Sequence, residues 1–167
     1  GHNNTLEFFQ TFEQFNNYVN LVTLNDANLN LARVAGSAFA LRRNYATDPL
    51  NPSPVTDSSR ASAIFNRYSS ASSGFTLDDV TSGGGYTDLD PTLYDNDGTL
   101  TTVPNGKYTV QRMFYFPNNI NTVVVYYGKA HYVSIDEAEL GYLLEHFQEA
   151  TNTASQAIYL GSVIVKA

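Results

Sequence analysis

The sequence predicts a mainly β fold, with sandwich-like or jelly-roll-like antiparallel sheets and one short helix near residues 135–144. Three observations carry that expectation. The composition is rich in Thr (16), Tyr (12) and Phe (10), which suit strands, and in Asn (17) and Ser (13), which suit turns. Segments such as Lys107–Phe116 alternate with period two and are bounded by Pro104-Asn105-Gly106 and Pro117-Asn118-Asn119. Only one segment, Ser134-Ile135-Asp136-Glu137, has the form of a helix start.

Along the chain, Leu6–Phe15 mixes helical and strand spacings and reads as a short strand or helical turn. Tyr18–Leu24 reads as a strand, because Asn16-Asn17 interrupts any longer helix. Leu29–Val34 alternates, and with Ala38–Arg43 after Gly36-Ser37 it reads as a hairpin. Pro49, Pro52 and Pro54 make Asp48–Pro54 a loop. Ala61–Tyr68 reads as another strand. Residues 69–91 form an acidic stretch expected to be loop-rich and flexible, containing Gly83-Gly84-Gly85, and no Lys or Arg occurs between Arg67 and Lys107.

Beyond that stretch the turn signals sharpen. Thr92–Tyr94 and Thr99–Val103 flank Asp95-Asn96-Asp97-Gly98, a hairpin turn of the Asp-Gly kind. In the following strand Tyr108, Val110, Phe114 and Phe116 share one face. Thr122–Tyr127 and Ala157–Lys166 complete the strands. The capped helix should run over Ile135–Leu144, presenting Ile135, Ala138, Tyr142 and Leu143 to the sheet, with Asp136 and Glu139 near its positive end.

At 167 residues the chain is about one domain, taken as residues 3–167, with Gly1-His2 read as a cloning or cleavage remnant. The absence of cysteine excludes disulfides, thiolate zinc sites and cysteine nucleophiles. Nine basic against sixteen acidic residues give a net charge of −7, which argues against a nucleic-acid partner. No run approaches the roughly 18 apolar residues of a membrane span, so no membrane insertion is expected. Charged residues are 15% of the chain, against about 25% in an ordinary domain. Its polar character is therefore carried by neutral side chains. That suits a surface module that meets partners through hydrogen bonds and ring faces, and equally suits a β protein with long loops.

No constellation points to catalysis. His131, expected on a strand, and His146 have no elbow-borne serine to serve. The pairs Asp88/Asp90, Asp95/Asp97 and Glu145/Glu149 allow the separation that glycoside hydrolysis needs, but turn and cap roles account for most of them. Aligning Gly98 with the glycine of an EF-hand loop puts Leu93 and Pro104 at ligand positions, so that motif fails. No metal and no cofactor is expected. Sugar faces stack on flat rings and their hydroxyls pair with carboxylates and amides. Tyr86, Tyr94, Asp95, Asn96 and Asp97, at turn or loop positions, are the candidate ligand contacts.

The stretch Gln111–Asn118, with Val125-Tyr126-Tyr127-Gly128, Ser134–Ala138 and Asn152–Gly161, resembles the C-terminal region of bacteriophage virion fibre proteins. Asn30–Ser37 and Phe39–Arg43 fit the same pattern. The similarity is best over residues 104–165 and weak over 48–86. It implies a non-enzymatic fibre-tip domain, homotrimeric, located on the virion and acting outside the host cell by recognising a bacterial surface glycan. A structural fibre or decoration domain without a receptor and a surface-polysaccharide hydrolase are the alternative expectations.

Overall fold

The computed structural model describes residues 6–9, 22–25, 29–33, 36–39, 46–50, 54–57, 64–71, 74–78, 86–116, 122–149, 154 and 157–167. In chain order its strands are β1 (Leu6–Phe9), β2 (Val22–Asn25), β3 (Asn30–Arg33), β4 (Gly36–Phe39), β5 (Pro54–Asp57) and β6 (Phe65–Ala71). They continue with β7 (Gly74–Asp78), β8 (Leu93–Asn96), β9 (Thr99–Thr102), β10 (Tyr108–Phe116), β11 (Thr122–Tyr126) and β12 (Ile158–Lys166). Helix α1 (Ile135–Leu144) lies between the last two. The chain is thus mainly β, and the helix has the expected bounds. Gly1, His2 and the Gly83-Gly84-Gly85 run lie outside the described residues.

A six-stranded sheet in the order β1-β12-β10-β11-β6-β7 organises the chain. The sheet is mixed: β6 runs parallel to β11, with Phe65 opposite Val123 and Tyr68 opposite Tyr126, while its other pairs are antiparallel. Four strands intervene between β6 and β11, ample chain for the crossover that parallel pairing requires. The expected hairpin over Leu29–Arg43 is corrected. Strand β3 pairs with β2, and β4, which contains Gly36-Ser37, pairs with β5. Alternation identifies strands but not their partners. Inside the stretch read as acidic loop, residues 69–71 and 74–78 are strand and Leu89 is in the core.

The central strands are covered on both sides. Thr109–Phe116 are buried without a break, as are Leu160–Val165. Such strands read as continuous apolar runs because neither face meets water. One face carries Met113, Tyr115, Val123, Val125, Leu160, Val163 and Val165, packed with Phe65, Leu31 and Leu89. The opposite face carries Phe114, Phe116, Val124 and Tyr126 at one end, and Val110 and Ile164 beneath Ala138 of α1 at the other. Between β10 and β12 the register slips: Met113 faces Gly161 while Phe114 faces Tyr159, so Leu160 is the extra residue of a bulge. Gly161 sits there at φ 144°, a value glycine adopts without a Cβ penalty. The bulge keeps both Leu160 and Val163 on one face and turns Tyr159 to the helix side.

Helix α1 is held at both ends. Ser134 accepts a hydrogen bond from the Glu137 backbone N–H, and the Glu137 carboxylate reaches back to the backbone N–H of Val133. Ala138 is buried, and Ile135 and Tyr142 pack beside it, as the spacing predicts. Leu143 departs from expectation: it is 72% exposed, beside the equally exposed Leu140 and Leu144. The helix rests on the sheet through its Ile135–Ala138–Tyr142 edge, and Leu143 lies outside that narrow contact.

Candidate functional site

The expected ligand residues fall in two places. Residues Tyr94 to Asn96 belong to β8, and Asp97-Gly98 make a two-residue turn with φ 50° and 96°, the type I′ geometry favoured in hairpins. Asn96 and Asp97 are exposed there. Asp95 is turned inward, 2% exposed. Its Oδ1 accepts from the Gly98 N–H at 2.7 Å and its Oδ2 meets Lys129 Nζ at 3.1 Å. That carboxylate closes the turn and pins the hairpin to the chain after β11, where the Asp95 N–H also donates to the Gly128 carbonyl. Tyr94 is half-buried, edge-on to His131 at 5.3 Å, and His131 lies in the connection to α1 and not on a strand. Tyr86 belongs to another neighbourhood. It exchanges two backbone hydrogen bonds with Phe65, and its ring lies under the Arg67 guanidinium at 3.6 Å. Of these five side chains, only Asn96 and Asp97 stand well out into solvent.

A stronger site lies on the helix side of the sheet. Arg112 is the third residue of the β10 face that also carries Val110 and Phe114, and it is 5% exposed. A charge in that row needs compensation, because burying an unpaired cation costs several kcal/mol, on the order of the penalty per ion in protein interiors. Glu145, the C-cap of α1, supplies it: Oε1 accepts from Arg112 Nη1 at 3.2 Å. The same carboxylate accepts from the Lys129 backbone N–H at 3.2 Å and from the Tyr132 hydroxyl at 2.7 Å. Arg112 Nη2 donates to the Tyr142 carbonyl at 3.2 Å, one of the four last-turn carbonyls a helix leaves unpaired. The last turn of α1 has no basic residue of its own, so Arg112 is also the cation at its negative end.

Rings surround this pair. The Arg112 guanidinium carbon lies 4.2 Å from the Phe147 ring centroid and 4.8 Å from that of Tyr142. Phe147 stacks on Phe114 at 6.3 Å and meets Tyr126 edge-on at 5.1 Å. Tyr159 packs on Phe114 at 5.3 Å, and its hydroxyl joins those of Tyr142, at 3.1 Å, and Ser162. Together Arg112, Phe114, Tyr142, Phe147, Glu149 and Tyr159 line a pocket of about 410 Å³. That lies within the roughly 300–1,000 Å³ typical of small-molecule sites, which combine apolar walls with a few placed polar groups.

The polar groups differ in state. Burial holds the Tyr159 phenol well above the usual tyrosine range. Burial, reinforced by the Glu145 carboxylate, does the same for Tyr132. Partial desolvation raises the Glu149 carboxyl although the residue is exposed overall, and it has no hydrogen bond or ion pair among the described residues. Among the described residues no three His, Asp or Glu side chains gather in a metal-binding group.

Comparison with known proteins returns no matching family model, curated protein or solved structure.

One member of each carboxylate pair weighed for hydrolysis is engaged: Asp90, Asp95 and Glu145. Asp90 Oδ1 accepts from the Thr92 N–H at 2.8 Å, and its Oδ2 faces Arg67 at 3.9 Å. Glu145 is spent on Arg112, Lys129 and Tyr132, which leaves Glu149 as the one carboxyl among the described residues lining the pocket. Sequence reasoning did not single out this pocket, although one signal was available. Arg112 interrupts an otherwise apolar strand face, and a lone charge there implies a buried partner and a structured neighbourhood.

Proposed function

We propose that this chain is a non-catalytic binding module, the tip domain of a bacteriophage virion fibre, which attaches to the host by holding a surface glycan in the ring-walled pocket. The observation that carries the reading is the pocket itself: four aromatic rings and two linked tyrosine hydroxyls around about 410 Å³ on a rigid sheet. Flat ring walls offer stacking to sugar faces, and phenol, carboxyl and guanidinium edges offer hydrogen bonds to hydroxyls. The pocket is built on β10, β12 and α1; β10 and β12 are paired strands and the Arg112–Glu145 pair joins β10 to α1, so little ordering cost attends binding. Homotrimeric tips present several copies at once, and avidity then raises weak single-site affinity by orders of magnitude, about 10²–10⁴.

The test is titration of the protein with host surface polysaccharide, followed by calorimetry and adsorption competition. Phe147→Ala, which removes a wall while leaving the Arg112–Glu145 pair in place, is expected to weaken binding at least tenfold with the circular dichroism spectrum retained. Recovery of full-length polysaccharide supports binding without chemistry, and shortened chains favour a hydrolase. Unimpaired adsorption by folded pocket variants favours a structural fibre domain. Light scattering reads the oligomer.

A further inference from the structure

We infer that the pocket takes a saccharide carrying a free amino group in preference to a neutral or acidic one. The inference rests on the glycan-binding reading above and concerns which glycan that site accepts.

Among the described residues the charges that line the site are one guanidinium, Arg112, and one carboxyl, Glu149, with the Glu145 carboxylate paired to Arg112 beside them, and they are not equivalent. Arg112 and Glu145 have side chains only 6% and 3% exposed and meet at 3.2 Å. Arg112 has a second bond to the Tyr142 carbonyl, and Glu145 has two more, to the Lys129 N–H and the Tyr132 hydroxyl. Lys129 directs its own ammonium to Asp95. The buried pair is closed on itself, and what it offers an incoming ligand is close to neutral. Glu149 is the charge left over, with no partner among the described residues.

An acidic sugar meets this arrangement badly. Its carboxylate lies against Glu149, and recruiting Arg112 leaves Glu145 as a buried anion without its cation. A neutral sugar stacks on the rings but does nothing for the Glu149 charge. An ammonium answers both features: it pairs with Glu149, and the faces of Tyr142, Phe147 and Tyr159 carry the negative potential that attracts cations. Desolvation of Glu149 without a compensating cation is also why its carboxyl holds its proton more tightly than usual.

Matched oligomers test the inference on the full chain just below neutral pH: glucosamine oligomers, N-acetylglucosamine oligomers and oligogalacturonate, each titrated by NMR. The glucosamine oligomer is expected to bind about tenfold tighter than the acetylated one, in keeping with a charge-assisted contact, and oligogalacturonate weakest. In Glu149→Gln, checked for folding by circular dichroism, the ratio between the amino and acetylated oligomers is expected to fall toward one. Equal binding of amino and neutral oligomers, preference for the acidic one, or an amine preference that survives Glu149→Gln overturns the inference and leaves the glycan reading standing. Failure of all three while host polysaccharide still binds also overturns the inference alone. Failure of every saccharide, host polysaccharide included, overturns both.

Discussion

Arg112 and Glu145 form a buried ion pair at 3.2 Å that joins the middle of β10 to the C-cap of α1. The pair fixes how the helix end, Tyr142 and Phe147 stand over the sheet, so it is the hinge pin of the pocket. Removing one partner leaves the other charged and buried. Glu145→Ala is expected to destabilise the fold by about 3–5 kcal/mol. The double variant Arg112→Met/Glu145→Leu should recover part of that loss, because it removes the unpaired buried charge while the Lys129 N–H, the Tyr132 hydroxyl and the Tyr142 carbonyl still lose their partners in the pair. Urea denaturation of the three proteins measures both effects, and an equal loss in the single and double variants would falsify the account.

Gly141 decides where Tyr132 lies. A Cβ at position 141 would stand 2.1 Å from Tyr132 Cε1, so the ring must leave the helix and the Glu145 carboxylate. Alanine is otherwise preferred to glycine inside a helix by about 1 kcal/mol. The steric term wins: Gly141→Ala is expected to cost roughly 1–3 kcal/mol, the range for overpacked sites. With Tyr132→Ala already present, the same change should stabilise. A thermal melt of the two pairs reads the reversal of sign.

Asp95 is a structural residue of the hairpin. Asp95→Ala removes the acceptor for Gly98 and the carboxylate that meets the Lys129 ammonium, and about 1–3 kcal/mol is expected to be lost. Asn96→Ala, an exposed change on the same strand, should stay within about 0.5 kcal/mol. Equal effects of the two substitutions on the denaturation midpoint would show that the inward carboxylate contributes nothing.

Tyr132 and Tyr159 set the alkaline limit. Burial raises both phenols in the fold. A phenol with a raised folded pKa contributes stability that is complete below its unfolded value, about 10, and is lost as pH rises through the folded value. Stability is therefore expected to decline above about pH 10, with two tyrosines ionising only as the chain unfolds. Tyr132→Phe, which has no such group, should lose less stability across that window. Ultraviolet titration alongside denaturation follows both quantities.

Glu149 acts in the opposite pH range. Its folded carboxyl is raised by partial desolvation although the residue is exposed overall, so the stabilising contribution is complete below its ordinary value, near 4.5, and fades as pH rises through the folded one. Glu149→Gln is expected to be at least as stable as the parent at neutral pH, with the difference vanishing in acid. Denaturation midpoints taken across that range test it.

Much of the fold was legible residue by residue. Ser134 and Glu137 announced the start of α1, Asp97-Gly98 marked the β8–β9 turn, and Pro104-Asn105-Gly106 marked the turn before β10, closed by the Lys107 N–H on the Pro104 carbonyl at 3.0 Å with Gly106 at φ 81°. These are local devices, decided by backbone sterics and hydrogen bonds within a few residues. The site was less legible. Tyr86 and the Tyr94–Asp97 segment stand out in the sequence because they occupy turn and loop positions. Loop position alone does not reveal that Arg67 covers the Tyr86 ring or that Lys129 draws the Asp95 carboxylate inward.

What the amino-acid order determined alone is the β class, the helix bounds and the tight turns, because each depends on neighbours along the chain. Only the tertiary structure decided that β6 joins β11 in parallel, that Leu160 bulges out of register, and that Arg112, Tyr142, Phe147, Glu149 and Tyr159 share one pocket. Those residues come from two strands, a helix and the segment after it. Their meeting depends on strand order and on the compensation of one buried charge, and neither of these is written in local spacing.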